Sequence, residues 1–145
     1  MVVKTYRGLL ADGGQDRIRL QTIKGKVGYK IVKFEVFPRT PGDASIDNVV
    51  QIWKISGQSQ GAAGAATVDF SDSNLLAAAW FSASTTNFSS DVVTIFDSEV
   101  FNQDIFITQT DNDGSDSINY YIELEVIPLD DAGAEYTTLK DMRQT

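Results

Sequence analysis

Residues 104–128 read DIFITQTDNDGSDSINYYIELEVIP, two strand-like runs on either side of a loop of turn-forming residues. The second run alternates between apolar and more polar positions. One side carries Ile118, Tyr120, Ile122, Leu124 and Val126, and the other carries Asn119, Tyr121, Glu123 and Glu125. This period of two is typical of a β-strand with one buried face. We therefore expect an all-β protein whose last two strands form a hairpin.

Six further strand-like runs precede this hairpin, separated by loops rich in Gly, Pro, Ser and Asn. The run Asn74–Phe81 is ambiguous, since its alanines suit a helix while its length suits a buried strand. We predict a strand there. In Tyr29–Phe37 the alternation places Val32, Phe34 and Val36 on one face. The other predicted strands are Arg17–Ile23, Val49–Ile55, Thr67–Phe70 and Val92–Phe96.

About eight strands at regular spacing predict a single-domain antiparallel β-sandwich over residues 1–129. The strand count favours a jelly-roll-like topology, and an immunoglobulin-like sandwich is the alternative. Residues 130–145 break the strand pattern and form a C-terminal tail or docking arm. There Leu139 and Met142 lie three apart, and Thr138 with Asp141 makes a weak capping box. This segment is a short helix, a frayed tail, or an arm that docks on a neighbouring subunit.

The composition argues against an enzyme. The chain has no His and no Cys, so it lacks the usual general base at neutral pH, the Ser-His and Cys-His pairs, and the ligands of most zinc sites. No stretch reaches the length of a membrane-spanning helix, and the N-terminus lacks the apolar core of a signal peptide. We expect no catalytic residue, no cofactor, no bound metal and no membrane partner.

The net charge of −8 is unevenly distributed, with +5 on residues 1–54 and −13 on residues 55–145. Such asymmetry marks two opposed partner surfaces or head-to-tail contact between copies, unless strands from both halves intermix in space. The basic cluster is either a solvated face or an interface. If it is an interface, an acidic protein subunit is the expected partner, since the overall acidity argues against nucleic acid. The basic cluster comprises Arg17, Arg19, Lys24, Lys26, Lys30 and Lys33.

The loop Asp111–Asp116 (DNDGSD) has the look of a calcium site. The EF-hand template needs acids at positions one, three and five, glycine at six and glutamate at twelve. Alignment on Gly114 leaves Gln109 at position one and Tyr120 at position twelve, so the template fails at both ends. The alternatives are a different calcium geometry across a β-loop and a hairpin loop in which Asp and Gly serve the turn.

Two other patterns are candidate sites. Glu123 and Glu125 point the same way on one strand, about 7 Å apart, as paired carboxylates of a glycosidase could. Such spacing arises on any solvated strand face. An aromatic platform for sugars is the second pattern, and alternating aromatic residues are more often core or subunit interface. Its members would be Trp53, Trp80, Tyr120 and Tyr121.

Three segments carry a family resemblance: GYKIVKFEVFPRTPG, IFDSEVFNQDIFIT and INYYIELEVIPLDD. They resemble small proteins encoded among the structural genes of marine tailed phages, in which a YYIELEV-like strand precedes a polar C-terminal segment ending near LKDMR. The resemblance spans roughly residues 14–143. It implies a virion component, with a β-sandwich capsid decoration or cement protein as the nearest picture. It contains no active-site motif, so it transfers no functional residue.

We therefore expect a non-enzymatic structural virion protein, assembled in the host cytoplasm, that binds the outside of a phage capsid and stabilises the head. Its partners would be the major capsid protein or other virion subunits, with a homo-oligomer, a trimer above all, as the working form. The run Met1–Tyr6 is a candidate to extend a neighbour's sheet. The alternatives are a carbohydrate-binding or receptor-recognition module of a tail assembly and a tail or head-to-tail connector component. Interface candidates beside the basic cluster are Trp53, Trp80, Tyr121, Leu139 and Met142.

Overall fold

The computed structural model describes residues 2–41, 45–54, 67–84, 90–112 and 114–143. They form eight strands and one helix. The all-β prediction is confirmed. The strands are β1 Val2–Leu10, β2 Gln15–Ile18, β3 Val27–Pro38, β4 Ser45–Trp53, β5 Leu75–Ser84, β6 Ser90–Phe96, β7 Ile105–Asp111 and β8 Ile118–Pro128, and the helix is α1 Asp131–Arg143.

The strands build two antiparallel sheets that pack as a sandwich. The three-stranded sheet has the order β1-β8-β3, and the five-stranded sheet has the order β2-β7-β4-β5-β6. The pairs β1 with β8, β2 with β7 and β4 with β5 are those of a long hairpin folded on itself, which is the jelly-roll pattern. An immunoglobulin-like sandwich would instead place β1 beside β2. The jelly-roll-like prediction is thus the better of the two.

One strand departs from the jelly-roll pattern. In a folded hairpin β6 would lie beside β3, whereas here β6 pairs with β5 and becomes the edge of the five-stranded sheet. The chain returns to β3 only at the isolated bridge between Tyr29 and Phe101. As a result the three-stranded sheet ends at β3, and β6 lies beyond it.

The core lies between the sheets and follows the alternation of the central strands. Ile118, Ile122 and Leu124 of β8 are fully buried, as their period of two predicts. On β5, Ala77 and Ala79 face the same core, where their small side chains leave room for large neighbours. The largest buried apolar side chains elsewhere in the core are Ile31, Ile46, Ile52, Leu76, Phe101, Ile105 and Ile107.

The predicted final hairpin is wrong. β7 lies between β2 and β4 in the five-stranded sheet, and β8 lies between β1 and β3 in the other sheet. The loop from Asp111 to Asp116 therefore crosses from one sheet to the other. Alternation reports which face of a strand is buried, but it carries no information about the strand's partner, so two adjacent strands with a turn-rich loop resemble a hairpin in sequence.

Two further strand predictions changed. Residues 67–70 form no strand, because Asp69 starts a turn in which its Oδ1 accepts from the backbone N–H of Ser71 at 2.9 Å. The eighth strand is β1, which pairs with β8 from Val2 to Leu10. The ambiguous run Asn74–Phe81 lies largely in β5, so the choice of strand is confirmed.

Two local details of the predicted strands also differ. The register with β8 shifts between Ile31 and Lys33, so Val32 occupies a β-bulge and does not share the inward face of Phe34. β2 ends at Ile18 rather than Ile23, because shortly after it the backbone N–H groups of Leu20 and Gln21 donate to the Asp104 carboxylate instead of to a strand.

The C-terminal segment forms helix α1, which begins well before the suggested capping box at Thr138. Asp130 caps it, since its Oδ1 accepts from the N–H of Gly133 at 2.6 Å. The helix packs on its own sandwich through buried Ala134 and Thr137. Among the described residues, no helix is long and apolar enough to cross a membrane.

Candidate functional site

The basic cluster does not form one surface. Lys30 and Lys33 lie on the outer face of the three-stranded sheet, where their ammonium groups contact Glu125 at 3.4 Å and Glu123 at 3.8 Å. Lys26 pairs with Asp131 of α1 at 2.7 Å. Acidic strands from the second half of the chain thus neutralise basic strands from the first half, as intermixing predicts. Of the remaining cluster members, Arg19 and Lys24 are exposed.

Arg17 belongs to a structural ion pair at the β2 edge. Its Nε donates to Asp104 Oδ2 at 2.8 Å, while the other carboxylate oxygen accepts from the N–H groups of Leu20 at 2.7 Å and Gln21 at 2.9 Å. Burial alone would raise the pKa of Asp104, but these hydrogen bonds and the guanidinium charge outweigh it and hold that pKa below its usual value. Arg17 therefore holds the β2 edge, and its side chain remains 51% exposed.

The suggested aromatic platform is not assembled. Trp53 is only 3% exposed, and its Nε1 donates to Thr108 Oγ1 at 3.2 Å. Tyr120 is buried and donates its hydroxyl to Asp16 Oδ2 at 2.9 Å, so burial and the nearby carboxylate raise the pKa of Tyr120. Trp80 and Tyr121 are accessible, but they lie on the outer faces of opposite sheets.

The loop Asp111–Asp116 is organised by its first carboxylate. Asp111 accepts from the N–H of Asp47 at 3.1 Å and from the N–H of Asp116 at 2.9 Å, while its own N–H donates to Asp12 at 2.8 Å. Asp113 lies outside the described residues. Within the described part of the chain, no group of three acidic, His or Cys side chains is placed to hold a metal ion. Through these hydrogen bonds Asp111 holds the ends of the loop between the two sheets in place.

Glu123 and Glu125 share one face, as the alternation predicted, and each faces a lysine of β3. Carboxylates held in such exposed ion pairs are typical of a solvated sheet surface. Glu99 has a comparable structural role under α1, since its Oε1 contacts the Nζ atoms of Lys54 at 2.8 Å and Lys140 at 3.0 Å. Burial would raise the pKa of Glu99, but the two lysines outweigh it and lower that pKa.

Helix α1 leaves part of its surface open. Leu139, an interface candidate from the sequence, is 62% exposed, and Tyr136 is exposed beside it. The side chain of Met142 lies outside the described residues. Lys140 anchors the helix by donating to the carbonyl of Val100 at 2.8 Å.

The largest accessible apolar area surrounds β6. Of the 13 large hydrophobic side chains exposed in the described part of the chain, seven lie on β6, on neighbouring Trp80, or on the turn that follows residue 66. A depression of about 410 Å³ lies between Trp80, Val93, Ile95 and Phe70. We call this area the β6 surface, and its members are Val68, Phe70, Trp80, Val92, Val93, Ile95 and Phe96.

β6 exposes apolar residues on both faces, and the topology explains why. Val93 and Ile95 lie opposite Trp80 and Ala78 on the outer face of the five-stranded sheet. Val92 and Phe96 lie on the core side, yet they are 53% and 38% exposed because the other sheet ends at β3. Of this surface the sequence prediction had found only Trp80. The signal in the sequence that could have identified this surface is VVTIF, an uncharged and mostly apolar run in which polar and apolar residues do not alternate.

Comparison of the chain with protein-family models and with curated proteins finds no match.

Proposed function

We propose that this protein is a non-enzymatic structural subunit that acts by burying its β6 surface against another protein subunit. The observation that carries the proposal is the concentration of exposed apolar side chains on one edge strand and the sheet face beside it. Contiguous apolar patches of this kind on a folded protein mark interaction sites. Trp80 supplies the type of aromatic residue that often dominates the binding energy at an interface.

The backbone of β6 strengthens this inference. In the described part of the chain β6 is the edge of the five-stranded sheet, and it turns one row of N–H and C=O groups away from β5. Such edges recruit another strand unless charge, proline, a bulge or a covering segment prevents it. The sequence of β6, SDVVTIF, contains one acidic residue, no basic residue and no proline. Strand addition together with burial of Val93 and Ile95 would combine main-chain hydrogen bonds with apolar contact.

The subunit we propose as partner belongs to a phage particle, with capsid decoration as the role. The resemblance to phage structural proteins supports this choice. The carboxylates named next also support it, because their evident role is to form ion pairs within the fold. Asp104, Glu99, Glu123 and Glu125 each pair with a basic residue in the structure. A decoration protein needs a rigid fold and a surface that can be buried, and the sandwich provides both.

A ring of identical subunits is also compatible with two of the sheet edges, β1 and β6. β1, at the edge of the three-stranded sheet, has the sequence VVKTYRGLL with two basic residues and no acidic one, whereas β6 carries only an acidic charge. Contact between β1 of one subunit and β6 of the next is heterologous, and a rotation that closes it gives a cyclic oligomer such as a trimer. The opposite charges favour this pairing over β6 against a second β6.

Quantitative peptide mass spectrometry on purified particles tests the virion assignment. Copies close in number to the major capsid protein would support shell decoration, a handful of copies would point to a tail or connector role, and complete absence would refute the virion proposal. A second arm compares Ile95→Lys with Phe37→Lys, a matched change on the opposite sheet. We expect Ile95→Lys to lose oligomer formation or particle binding and Phe37→Lys to retain both. Equal behaviour of the two variants would contradict the role of the β6 surface.

A further inference from the structure

The outer face of the three-stranded sheet holds a second accessible site, on the side of the sandwich opposite to Trp80. A depression of about 550 Å³ crosses all three strands near one end of the sheet. This is within the volume range of small-molecule sites. The register places its side chains in two parallel rows, one from Arg7 through Tyr121 to Glu35 and one from Leu9 through Asn119 to Phe37. We call this site the cross-strand groove.

The dimensions of the groove follow from the sheet. The two rows are two residues apart along each strand, hence about 7 Å, and three strands span about 10 Å. The floor is the backbone of the intervening row, Gly8, Tyr120 and Val36, whose side chains point into the core. Gly8 is required there, because an added Cβ would lie 2.8 Å from the hydroxyl of Tyr120. The ring of Tyr120 thus lies beneath the floor and makes it rigid through its hydrogen bond to Asp16.

The walls combine apolar and polar groups in a specific arrangement. Phe37 is 62% exposed, which is unusual for a phenylalanine on the outer face of a sheet. The ring of Tyr121 lies in the other wall and has the ammonium of Lys33 5.7 Å from its centroid, a contact that favours a fixed ring position. Two aromatic side chains therefore face one narrow groove, where a flat apolar surface can pack against them.

The polar groups determine what else the ligand must offer. Arg7 at one end only donates hydrogen bonds, Glu35 at the other end only accepts them, and Asn119 in the middle does both. The formal charges of the lining residues Arg7 and Glu35 sum to zero, and the Glu35 carboxylate also lies 3.8 Å from the ammonium of Lys33. A neutral ligand is therefore compatible with the groove. Elsewhere on this face, the ion pairs of Lys30 with Glu125 and Lys33 with Glu123 satisfy the charged groups. A ligand for the groove needs an apolar face and many groups that both donate and accept.

From this geometry we infer that the cross-strand groove binds a neutral pyranose sugar or a short oligosaccharide. A pyranose ring has a flat face of C–H groups that packs on aromatic rings, and its hydroxyls both donate and accept hydrogen bonds. The floor of the groove, about 7 Å by 10 Å, is much smaller in area than a typical protein interface, which buries about 800 Å² on each partner. A small ligand therefore suits the groove better than a protein subunit. This site is independent of the β6 surface, because the two lie on different sheets.

A titration followed by ¹⁵N–¹H NMR tests the inference with four probes: cellobiose, maltose, lactose and N,N′-diacetylchitobiose. We expect at least one disaccharide to shift the backbone amides of Gly8, Tyr120 and Tyr121. Phe37→Ala and Tyr121→Ala should each weaken that binding by about tenfold or more, whereas Trp80→Ala, the matched change on the other sheet, should leave it unchanged. The spectra of the unliganded variants check that they are folded.

Three results would overturn the inference. The first is the absence of any amide shift with all four disaccharides at their highest soluble concentration. The second is binding that persists in Phe37→Ala and Tyr121→Ala, or that disappears in Trp80→Ala. The third is a change of oligomeric state in Phe37→Ala without sugar binding by the wild type, which would make the groove a protein contact. Absence of sugar binding, or binding that persists in Phe37→Ala and Tyr121→Ala, leaves the proposed assembly role unchanged, so the two failures are distinguishable. A change of oligomeric state in Phe37→Ala would in addition contradict assembly through the β6 surface.

Discussion

The two edges of the five-stranded sheet are built differently. β2 is four residues long, and Arg17 at its outer side is bound to the Asp104 carboxylate while its guanidinium lies 5.8 Å from the ring centroid of Phe106. β6 is seven residues long and exposes four large apolar side chains. Short length and charge are the usual ways to keep an edge from pairing with other chains. Among the described residues, one edge is therefore short and charged, and the other is longer and apolar.

The difference has a topological origin. Pairing of β6 with β3 would have completed a second four-stranded sheet and buried Val92 and Phe96 in the core. Pairing with β5 instead leaves those side chains beyond the end of the three-stranded sheet. At the β2 edge, by contrast, the apolar side chain that faces the core, Ile18, is buried. The exposure of β6 is therefore a consequence of the fold and does not depend on the orientation of single side chains.

The largest expected effect is at the β2 edge. Asp104→Ala removes a carboxylate that accepts from Arg17 and from two backbone N–H groups, one of which is buried. We expect the free energy of unfolding to fall by about 3 kcal/mol, measured by urea denaturation. The control is Glu35→Ala, whose carboxylate is exposed and lies 3.8 Å from Lys33, and which should change stability by less than about 0.5 kcal/mol. Equal effects would mean that Asp104 does not hold the edge.

The same carboxylate gives the protein a dependence on pH. Because the pKa of Asp104 lies below its usual value of 3.8, the folded state favours the ionised form. The stabilisation is fully present above pH about 4 and is lost as the pH falls through the folded-state pKa. We expect the difference in unfolding free energy between wild type and Asp104→Asn to be constant near neutral pH and to shrink below pH about 4. A difference that grows on acidification would contradict the assignment.

A smaller effect is expected where the β2 edge is attached to the other sheet. Tyr120 of β8 donates its hydroxyl to Asp16 of β2 at 2.9 Å, which joins the two sheets. Tyr120→Phe keeps the ring and removes this hydrogen bond, so we expect a loss of about 1 kcal/mol. Hydrogen exchange should become faster at the amides of β2 and stay the same at β6. Uniformly faster exchange would show that the bond supports the whole sandwich.

The sequence predicted the fold where a residue pattern reports burial directly. The alternation from Ile118 to Val126 specified both faces of β8. The run Asn74–Phe81 was ambiguous between helix and strand, and the choice of a strand was correct. The sequence prediction failed where the outcome depends on distant partners. β7 and β8 were predicted as a hairpin because the turn chemistry of Asp111–Asp116 is the same in a hairpin and in a crossover between sheets. β1 was predicted only as the run Met1–Tyr6 that extends a neighbour's sheet, because its nine pairs with β8 of the same chain are contacts of long sequence separation.

The candidate sites show the same limit. Trp53 and Trp80 were both interface candidates, and only the structure separates them, since Trp80 is accessible whereas the indole of Trp53 is buried against Thr108. The lysines of β3 looked like an interface until β8 placed Glu123 and Glu125 beside them. Phe37 of the groove was counted as a strand residue without a role, because its neighbours Asn119 and Leu9 are more than eighty and nearly thirty positions away along the chain. Sites formed across strands require the register, which alternation does not supply.

The smallest effect on stability is expected at the β6 edge, and it separates the two edges most sharply. Val93→Lys replaces an apolar side chain on the outer face of β6 that is 47% exposed, so little burial is lost in the isolated chain. We expect the free energy of unfolding to change by less than about 0.5 kcal/mol. The same substitution puts a charge into the centre of the β6 surface, and desolvating that charge opposes any contact there. Sedimentation velocity should therefore show loss of self-association at unchanged stability. A variant that unfolds easily but still associates would show that Val93 belongs to the core and that the β6 edge is not the interface.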